Sequence, residues 1–353
     1  MSSNPRWKHR PPGSNWGDFG PDDQLGRMNW LTPEKVKQGM AEVKEGLTFN
    51  LSLPLDFPGG NVLNPRRMPP VLRPTVRNGQ PNLNYRLMAD DPNCTDVVSD
   101  DLVVMHLQYS TQWDSFAHVG SVFDADGDGI AEAVYYNGWR AGLDVIGPSH
   151  VQGAGIFGAL DIARESTSRA QALGIENMSA RCVQGRAVMI DLHAHLGRGR
   201  TSVDHAMLME IMRKDGVTVE QGDMVCLHTG FADLLLEMNK QPPADILERY
   251  GAGLDGRDPK LLQWITDSGL VALIADNYAV EALPATHGKA PCATMPLHEH
   301  CLFKLGVHLG EIWHLGPLAH WLRAHGRHRF LLTAPPLRLP GAVGSPATPV
   351  ATV

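Results

Sequence analysis

The sequence contains no pair of cysteines at C-x-x-C spacing. Its five cysteines, Cys94, Cys182, Cys226, Cys292 and Cys301, are far apart and odd in number. That argues against a disulfide framework or a four-cysteine zinc site and reads as reduced thiols in a cytoplasmic protein. No apolar run approaches the roughly 18–20 residues of a membrane span. The opening stretch MSSNPRWKHRPPGSNWG also lacks the apolar core of a secretion signal. There is no Lys/Arg block, and the formal charge is −7 over 353 residues, which argues against nucleic acid as the main partner. No G-x-x-x-x-G-K-[ST] loop is present to cradle phosphates. The absence of G-x-S-x-G leaves a serine-hydrolase reading without support.

Apolar residues make up 43% of the chain and charged residues 20%, enough for a sizeable core. Residues 1–45 read as an arm with one short helix, started by Thr32 as N-cap and Pro33 as first helical residue. LTFNLSLPL (47–55) alternates like a strand. Residues 56–100, rich in Pro, Asn and Arg, read as a long irregular excursion, a kind of loop that is often functional. The second half alternates apolar strands (RAVMID, GDMVCLH, LVALIADN, VHLGEIWHL) with helical patterns such as DPKLLQWITDSG and PLHEHCLFKLG. Hairpin-like strands in the first half complete a mixed α/β pattern. The Pro/Gly-rich tail reads as mostly irregular. We expect one domain over 46–353 behind the arm 1–45.

The chemistry concentrates in QYSTQWDSFAHVG, Gln108 to Gly120. If the chain runs extended from 102 to 114, Gln108, Ser110, Gln112 and Asp114 share one face. A polar row at the end of an apolar strand can build a site on a rigid element. His118 follows after a turn, and its imidazole titrates near neutrality, as proton transfer requires.

This stretch resembles the signature H-x-G-T-H-x-D-x-P-x-H of the cyclase family of metal-dependent hydrolases, which includes kynurenine formamidase and isatin hydrolase. Thr111, Asp114 and His118 match, whereas Gln108 and Gln112 stand in place of two histidines and Ser110 in place of the glycine. The segments SNWGDFGPDDQLGRMNWLTPEK, PLHEHCLFKLGVHLGEIWHL and RLPGAVGSPATPV resemble further parts of that family. The resemblance implies an α/β fold of swivelling β/β/α type, with a mixed twisted sheet flanked by helices. It also implies divalent-metal ligation by Asp114, His298 and Glu311, with Gln108 and Gln112 as optional oxygen ligands, and a base or proton-shuttle role for His118.

Carboxamide oxygen is a weak neutral ligand, while imidazole suits zinc. The exchange therefore points to at most one metal, manganese or zinc, or to none, with the glutamines bonded to Asp114. The reaction expected is hydrolysis of a C–N amide or lactam-like bond in a small cyclic or aromatic carbonyl compound. A cyclase or dehydratase using His118 without a tight metal stays open, as does a non-catalytic ligand-binding protein.

Other residues are weighed against simpler roles. Trp113 and Phe116 could wall a ring-bearing substrate or belong to the core. The resemblance implies that Asp276, Glu281 and His287 edge the pocket, though Asp276 could instead order its loop. His193 and His195 form H-x-H at a strand end, a spacing that can bind metal, but no third ligand is evident. His228 reads as a satisfied core histidine that could border the pocket. DADGDG, Asp124 to Gly129, mimics a calcium loop, but its twelfth position is Tyr135 rather than Glu, so a solvated turn is the better reading. Exposed Trp7, Trp16, Phe19 and Trp30 on the arm would favour a homo-oligomer, and packing on the chain's own core is the alternative.

Overall fold

A computed structural model of the chain describes residues 6–148 and 168–353. Its centre is a nine-stranded mixed sheet. In chain order the strands are β1 (Thr48–Asn50), β2 (Gln112–Asp114), β3 (Gln184–Asp191), β4 (Met224–His228), β5 (Ala272–Ala275), β6 (His308–Glu311), β7 (Arg329–Thr333), β8 (Gly344–Pro346) and β9 (Val350–Thr352). The spatial order is β1-β9-β7-β3-β4-β5-β6-β2-β8. The four central strands, β3 to β6, run parallel, and antiparallel strands flank them on both sides.

The central strands are apolar on both faces, as a covered parallel sheet requires. Val188 and Ile190 of β3, Val225 and Leu227 of β4 and Leu273 of β5 join one core cluster. Ala187, Met189, Met224, Cys226 and Ile274 join the other, on the opposite face. The helices used below are α1 (Pro33–Met40), α2 (Leu192–Leu196), α3 (Pro259–Ser268) and α4 (Gly316–Ala324). α3 begins where the Asp258 carboxylate accepts the Lys260 N–H at 2.8 Å and ends at left-handed Gly269, the usual asymmetry of helix ends.

Several segments differ from the pattern expected. The 47–55 strand is trimmed to β1, after which Ser52 makes only an isolated bridge to Trp313. The excursion 56–100 carries short antiparallel ribbons, including 71–74 paired with 101–104. The Asp124–Gly129 turn lies in a hairpin between 121–123 and 132–134. The tail is not irregular throughout, for β8 and β9 both join the main sheet.

The arm packs on its own chain. Trp16 is fully buried and its Nε1–H donates to the Phe303 carbonyl at 2.8 Å. Trp7 lies against Trp16, and Phe19 against Trp30. The aromatic argument for a homo-oligomer therefore loses its basis. The Arg27 guanidinium donates to the carbonyls of Ile265 and Thr266 at the C-terminal end of α3, each at 2.7 Å. Gly26 touches Gly306 so closely that a Cβ would sit 2.2 Å from its carbonyl oxygen.

Asp223, fully buried just before β4, ties the arm to the sheet. It accepts from Lys35 of α1 at 2.9 Å and from both Nε and Nη2 of Arg186 on β3 at 2.9 and 3.0 Å. Asp223→Ala strands two cations in a poorly hydrated space. It should cost about 3–5 kcal/mol in a denaturant melt. Removing the half-exposed Glu220, which also faces Lys35 and Arg186, should cost about 1 kcal/mol or less.

Candidate metal centre

The sequence brings three ligand-type side chains to one point from three elements. Asp114 ends β2, Glu311 ends β6, and His298 sits at the end of a helical turn, Pro296–His298, that continues into a π segment, Glu299–Leu305. One ligand atom from each lies within 4.8 Å of one from each of the others, and all three residues are buried. β2 and β6 are antiparallel neighbours with Glu311 opposite Gln112. Strand alternation therefore puts Gln112 and Asp114 on the same face, toward Glu311.

His298 is set by two carboxylates. Its Nδ1 lies 2.6 Å from Glu281 Oε1, and its Nε2 lies 3.2 Å from Glu311 Oε1 and 4.0 Å from Asp114 Oδ2. Glu281 also accepts the backbone N–H groups of Leu297 and His298. With Nδ1 engaged, Nε2 is the nitrogen that faces Asp114 and Glu311, the outer-shell arrangement usual for metal-ligating histidine.

The electrostatics reflect crowding of negative charge. Burial and then the nearby Glu311 raise the Asp114 carboxyl to about 8. Burial would lower His298, but hydrogen bonds to Glu281 and Glu311 outweigh it and hold the ring protonated up to about 10. Burial would raise Glu311, but the bond to His298 outweighs that and keeps its carboxyl below the ordinary range. Burial, then the His298 charge, lowers His118 to about 4. His118 is thus neutral near pH 7, with Nε2 3.9 Å from Asp114 Oδ1 and a partly exposed side chain.

A divalent cation fits this donor set. Both Asp114 carboxylate oxygens and the Gln112 Oε1 are buried without a hydrogen-bond partner, and buried polar atoms in that condition call for an unseen ion or water. Two carboxylates, one imidazole and a carboxamide make an oxygen-rich set, suited to Mn²⁺ or Mg²⁺ more than to a tight zinc site.

The remaining residues are distributed as follows. Gln112 donates Nε2–H to Glu311 Oε2 at 2.9 Å, so it orients that carboxylate. The chain is not extended from 102 to 114: it turns at 107–110 before β2 begins. Gln108 consequently lies outside the strand, with its carboxamide against Gly344, the residue paired with Asp114. Trp113 points to the opposite face, fully buried against Trp313, with Nε1–H on the Ala334 carbonyl. Alternation forbids it from sharing the face of Gln112 and Asp114. Phe116 is fully buried and stacked on His308 at 4.0 Å, so it is core and not a substrate wall.

Asp276 accepts from Thr229 N, Thr229 Oγ1 and Gly230 N at 2.6–2.8 Å. It orders the turn after β4 and does not edge the Asp114 site. His287 is exposed, and no contact brings it to Asp114, His298 or Glu311 among the described residues. Glu281 is the His298 partner, and it also lines a small separate cavity with Tyr278 and Arg200. His195 leaves the H-x-H pair for Asp215, 2.9 Å away. In the calcium-loop mimic, Asp124 accepts backbone N–H groups of Gly127 and Gly129, and Arg140 supplies a cation to Asp126 and Glu132.

Two neighbours were not foreseen. His308 Nδ1–H donates to the Asp114 carbonyl at 2.9 Å, fixing the backbone of that ligand. Arg67, from the excursion 56–100, donates to the Gln108 carbonyl at 2.6 Å, and its charge acts on Asp114, His118 and Glu311. A cavity of about 540 Å³ is lined by Val119–Val122 and Pro291–Met295 with Glu299; it starts one residue after His118 in the chain, and Asp114, His118, His298 and Glu311 are not among its lining residues.

Glu281 engages Nδ1 of His298 and leaves Nε2 free to face a cation. Glu281→Gln should therefore weaken Mn²⁺ binding about 10–100-fold, measured by titrating metal-stripped protein. Unchanged affinity would show that His298 is oriented by the backbone alone.

Comparison with known proteins follows the same lines. Residues 49–282 match the family model named Cyclase, which ends before His298 and Glu311. A crystal structure described as that of a novel cyclase is 29% identical, with TM-score 0.71, covering 98% of this chain and 100% of that one. Isatin hydrolase A from Labrenzia aggregata, bound to benzyl benzoate, is 14% identical, with TM-score 0.53 over 90% of this chain and 97% of that one. Isatin hydrolase A from Ralstonia solanacearum is 14% identical, with TM-score 0.53 over 91% and 97%. No curated protein matches the sequence. No helix among the described residues is long and apolar enough to cross a membrane. The fold is the mixed α/β arrangement of these structures, and the chain belongs to the cyclase family.

Proposed function

We propose that this protein is a metal-dependent hydrolase opening a C–N amide or lactam-like bond in a small cyclic or aromatic carbonyl compound. The observation that carries the reading is the pair of orphaned Asp114 oxygens facing His298 Nε2 and Glu311 in a dry space. Asp114, His298 and Glu311 would hold one divalent cation, with Gln112 steadying Glu311. Such a cation, when bound, lowers the pKa of water and polarises a carbonyl. The fold shared with two isatin hydrolases supports the reaction class.

The chain's own groups divide the remaining work. His118, neutral and partly exposed, takes a proton at Nε2 and returns it to the leaving nitrogen. Arg67 offers a fixed positive charge for the carbonyl oxygen or for the carboxylate released on ring opening. The cavity that starts at Val119, the residue after His118, falls within the 300–1,000 Å³ common for small-molecule sites, and Val119, Val122 and Met295 give it apolar walls.

A second reading has its own observation. His118, lowered to about 4, and Asp114, raised to about 8, are 3.9 Å apart. Two groups pushed apart in this way form a base and an acid without any metal, as a cyclase or dehydratase would need.

Metal-stripped protein reconstituted with Mn²⁺ separates the two. The hydrolase reading expects one Mn²⁺ per chain by elemental mass spectrometry, lost in Asp114→Ala and in His298→Ala. It also expects turnover of some member of an amide, lactam and lactone panel. His118→Ala should lower kcat by about 10²–10⁴-fold with Mn²⁺ content unchanged. Turnover that persists at full rate after Asp114→Ala and metal removal would overturn it.

A further inference from the structure

We propose a second metal site, distinct from the Asp114 centre, in which His193, His228 and His320 bind a cation of imidazole preference such as Zn²⁺. One ring nitrogen of each histidine lies within 4.8 Å of one of each of the others. They come from three elements: His193 from α2 directly after β3, His228 from the last position of β4, and His320 from α4.

His228 is the anchor. It is fully buried, and its Nε2 has no hydrogen-bond partner. Its Nδ1 lies 2.8 Å from Asp191 Oδ1, and Asp191 is its register partner at the end of β3. The Asp191 carboxylate is itself held by Arg323 Nε at 2.8 Å and by the Ala194 N–H at 3.1 Å. A carboxylate on one ring nitrogen, with the other nitrogen left open, is the outer-shell arrangement of a metal-bound histidine.

A proton alone does not satisfy that open nitrogen. The nearest acceptors, Asp233 Oδ2 and Asp276 Oδ2, stand 3.8 and 4.0 Å away, beyond hydrogen-bond reach. Asp233 has its other oxygen on His314 Nε2 at 2.9 Å, which leaves Oδ2 as a candidate fourth donor. Space for the cluster is provided by Gly230, where a Cβ would sit 2.6 Å from His193 Cδ2. His320 is exposed and His193 partly so, so an ion can enter from solvent while His228 stays dry.

The two sites differ in place and in chemistry. His228 lies on the face of β4 with Met224 and Cys226, whereas Glu311 lies on the opposite face of the sheet with Leu309. Three imidazoles select zinc, copper, nickel or cobalt, while the carboxylate-rich Asp114 centre accepts harder ions. A cation here would fasten the ends of β3 and β4 to α4, the helix that follows Glu311 in the chain.

The test is calorimetric titration of metal-stripped protein with Zn²⁺, paired with thermal unfolding, in wild type, His320→Ala, His193→Ala and Asp114→Ala. The exposed His320 can be lost without opening the core, and Tm values without zinc verify this. We expect a zinc-binding event and a zinc-dependent rise in Tm that persist in Asp114→Ala. Affinity should fall at least ten-fold in His320→Ala and in His193→Ala. Zinc isotherms of both histidine variants superimposing on wild type would overturn the site, as would loss of all zinc binding in Asp114→Ala.

Discussion

Negative charge held away from water is the constraint around which the Asp114 region is organised. Asp114, Glu311 and Glu281 converge on a single imidazole, His298. Burial first, and the neighbouring Glu311 second, raise the Asp114 carboxyl, with the His298 charge opposing them only in part. The surrounding bonds fix geometry without neutralising anything. Thr111 Oγ1–H donates to the Ile312 carbonyl at 2.6 Å, Trp313 Nε1–H to the Gln112 carbonyl at 3.0 Å, and His308 to the Asp114 carbonyl. These hold β2 and the end of β6 rigid while leaving the charge unresolved. A framework built in this way favours a cation over rearrangement, because moving either carboxylate out would break a buried neutral network.

The sheet explains where such groups can exist at all. Its central strands are covered on both faces, so polar chemistry must gather where the strands end. Asp191, His228, Asp276 and Glu311 all lie at or just beyond the carboxyl ends of the four parallel strands. Alternation then sorts them. Glu311 turns toward the face of Asp114, while Asp191, His228 and Asp276 meet on the other. One row of strand ends thereby presents two chemically different clusters without their sharing a ligand.

Much of this was legible in the sequence and part of it was not, for identifiable reasons. The apolar runs of β3 to β6 read as buried strands because they are short, continuous and bounded by turn residues. Asp114, His298 and Glu311 were named from motif segments that chain position alone would not join: 184 residues separate Asp114 from His298 in the sequence. The misplacement of Gln108 has one cause, the turn at 107–110. Treating 102–114 as one strand put Gln108 in line with Asp114. The alternation argument, applied from β2 alone, already excludes Trp113 from that face. Arg67, His308 and His320 depend on contacts between distant segments, and nothing in their local sequence marks them; Glu281, His193 and His228 were singled out, but not the partners they meet. His193 looked isolated because its partners lie 35 and 127 residues further along the chain.

The two glutamines can be interpreted in the same physical terms. An imidazole at position 112 that ligated through one nitrogen would keep an N–H only on the far side of its ring, turned away from the ligated atom. The carboxamide instead gives an N–H to Glu311 Oε2 and keeps an oxygen in the same dry space. That donation draws on the charge of Glu311 and fixes its orientation, leaving Oε1 beside His298. Gln108, displaced to the turn and packed over Gly344, is positioned beside β2 and not within the convergence of Asp114, His298 and Glu311. The substitutions thus replace two strong nitrogen donors by a hydrogen-bond clamp on a carboxylate. A cation held there as proposed would meet an oxygen-rich donor set, which suits a harder ion better than an imidazole-rich one.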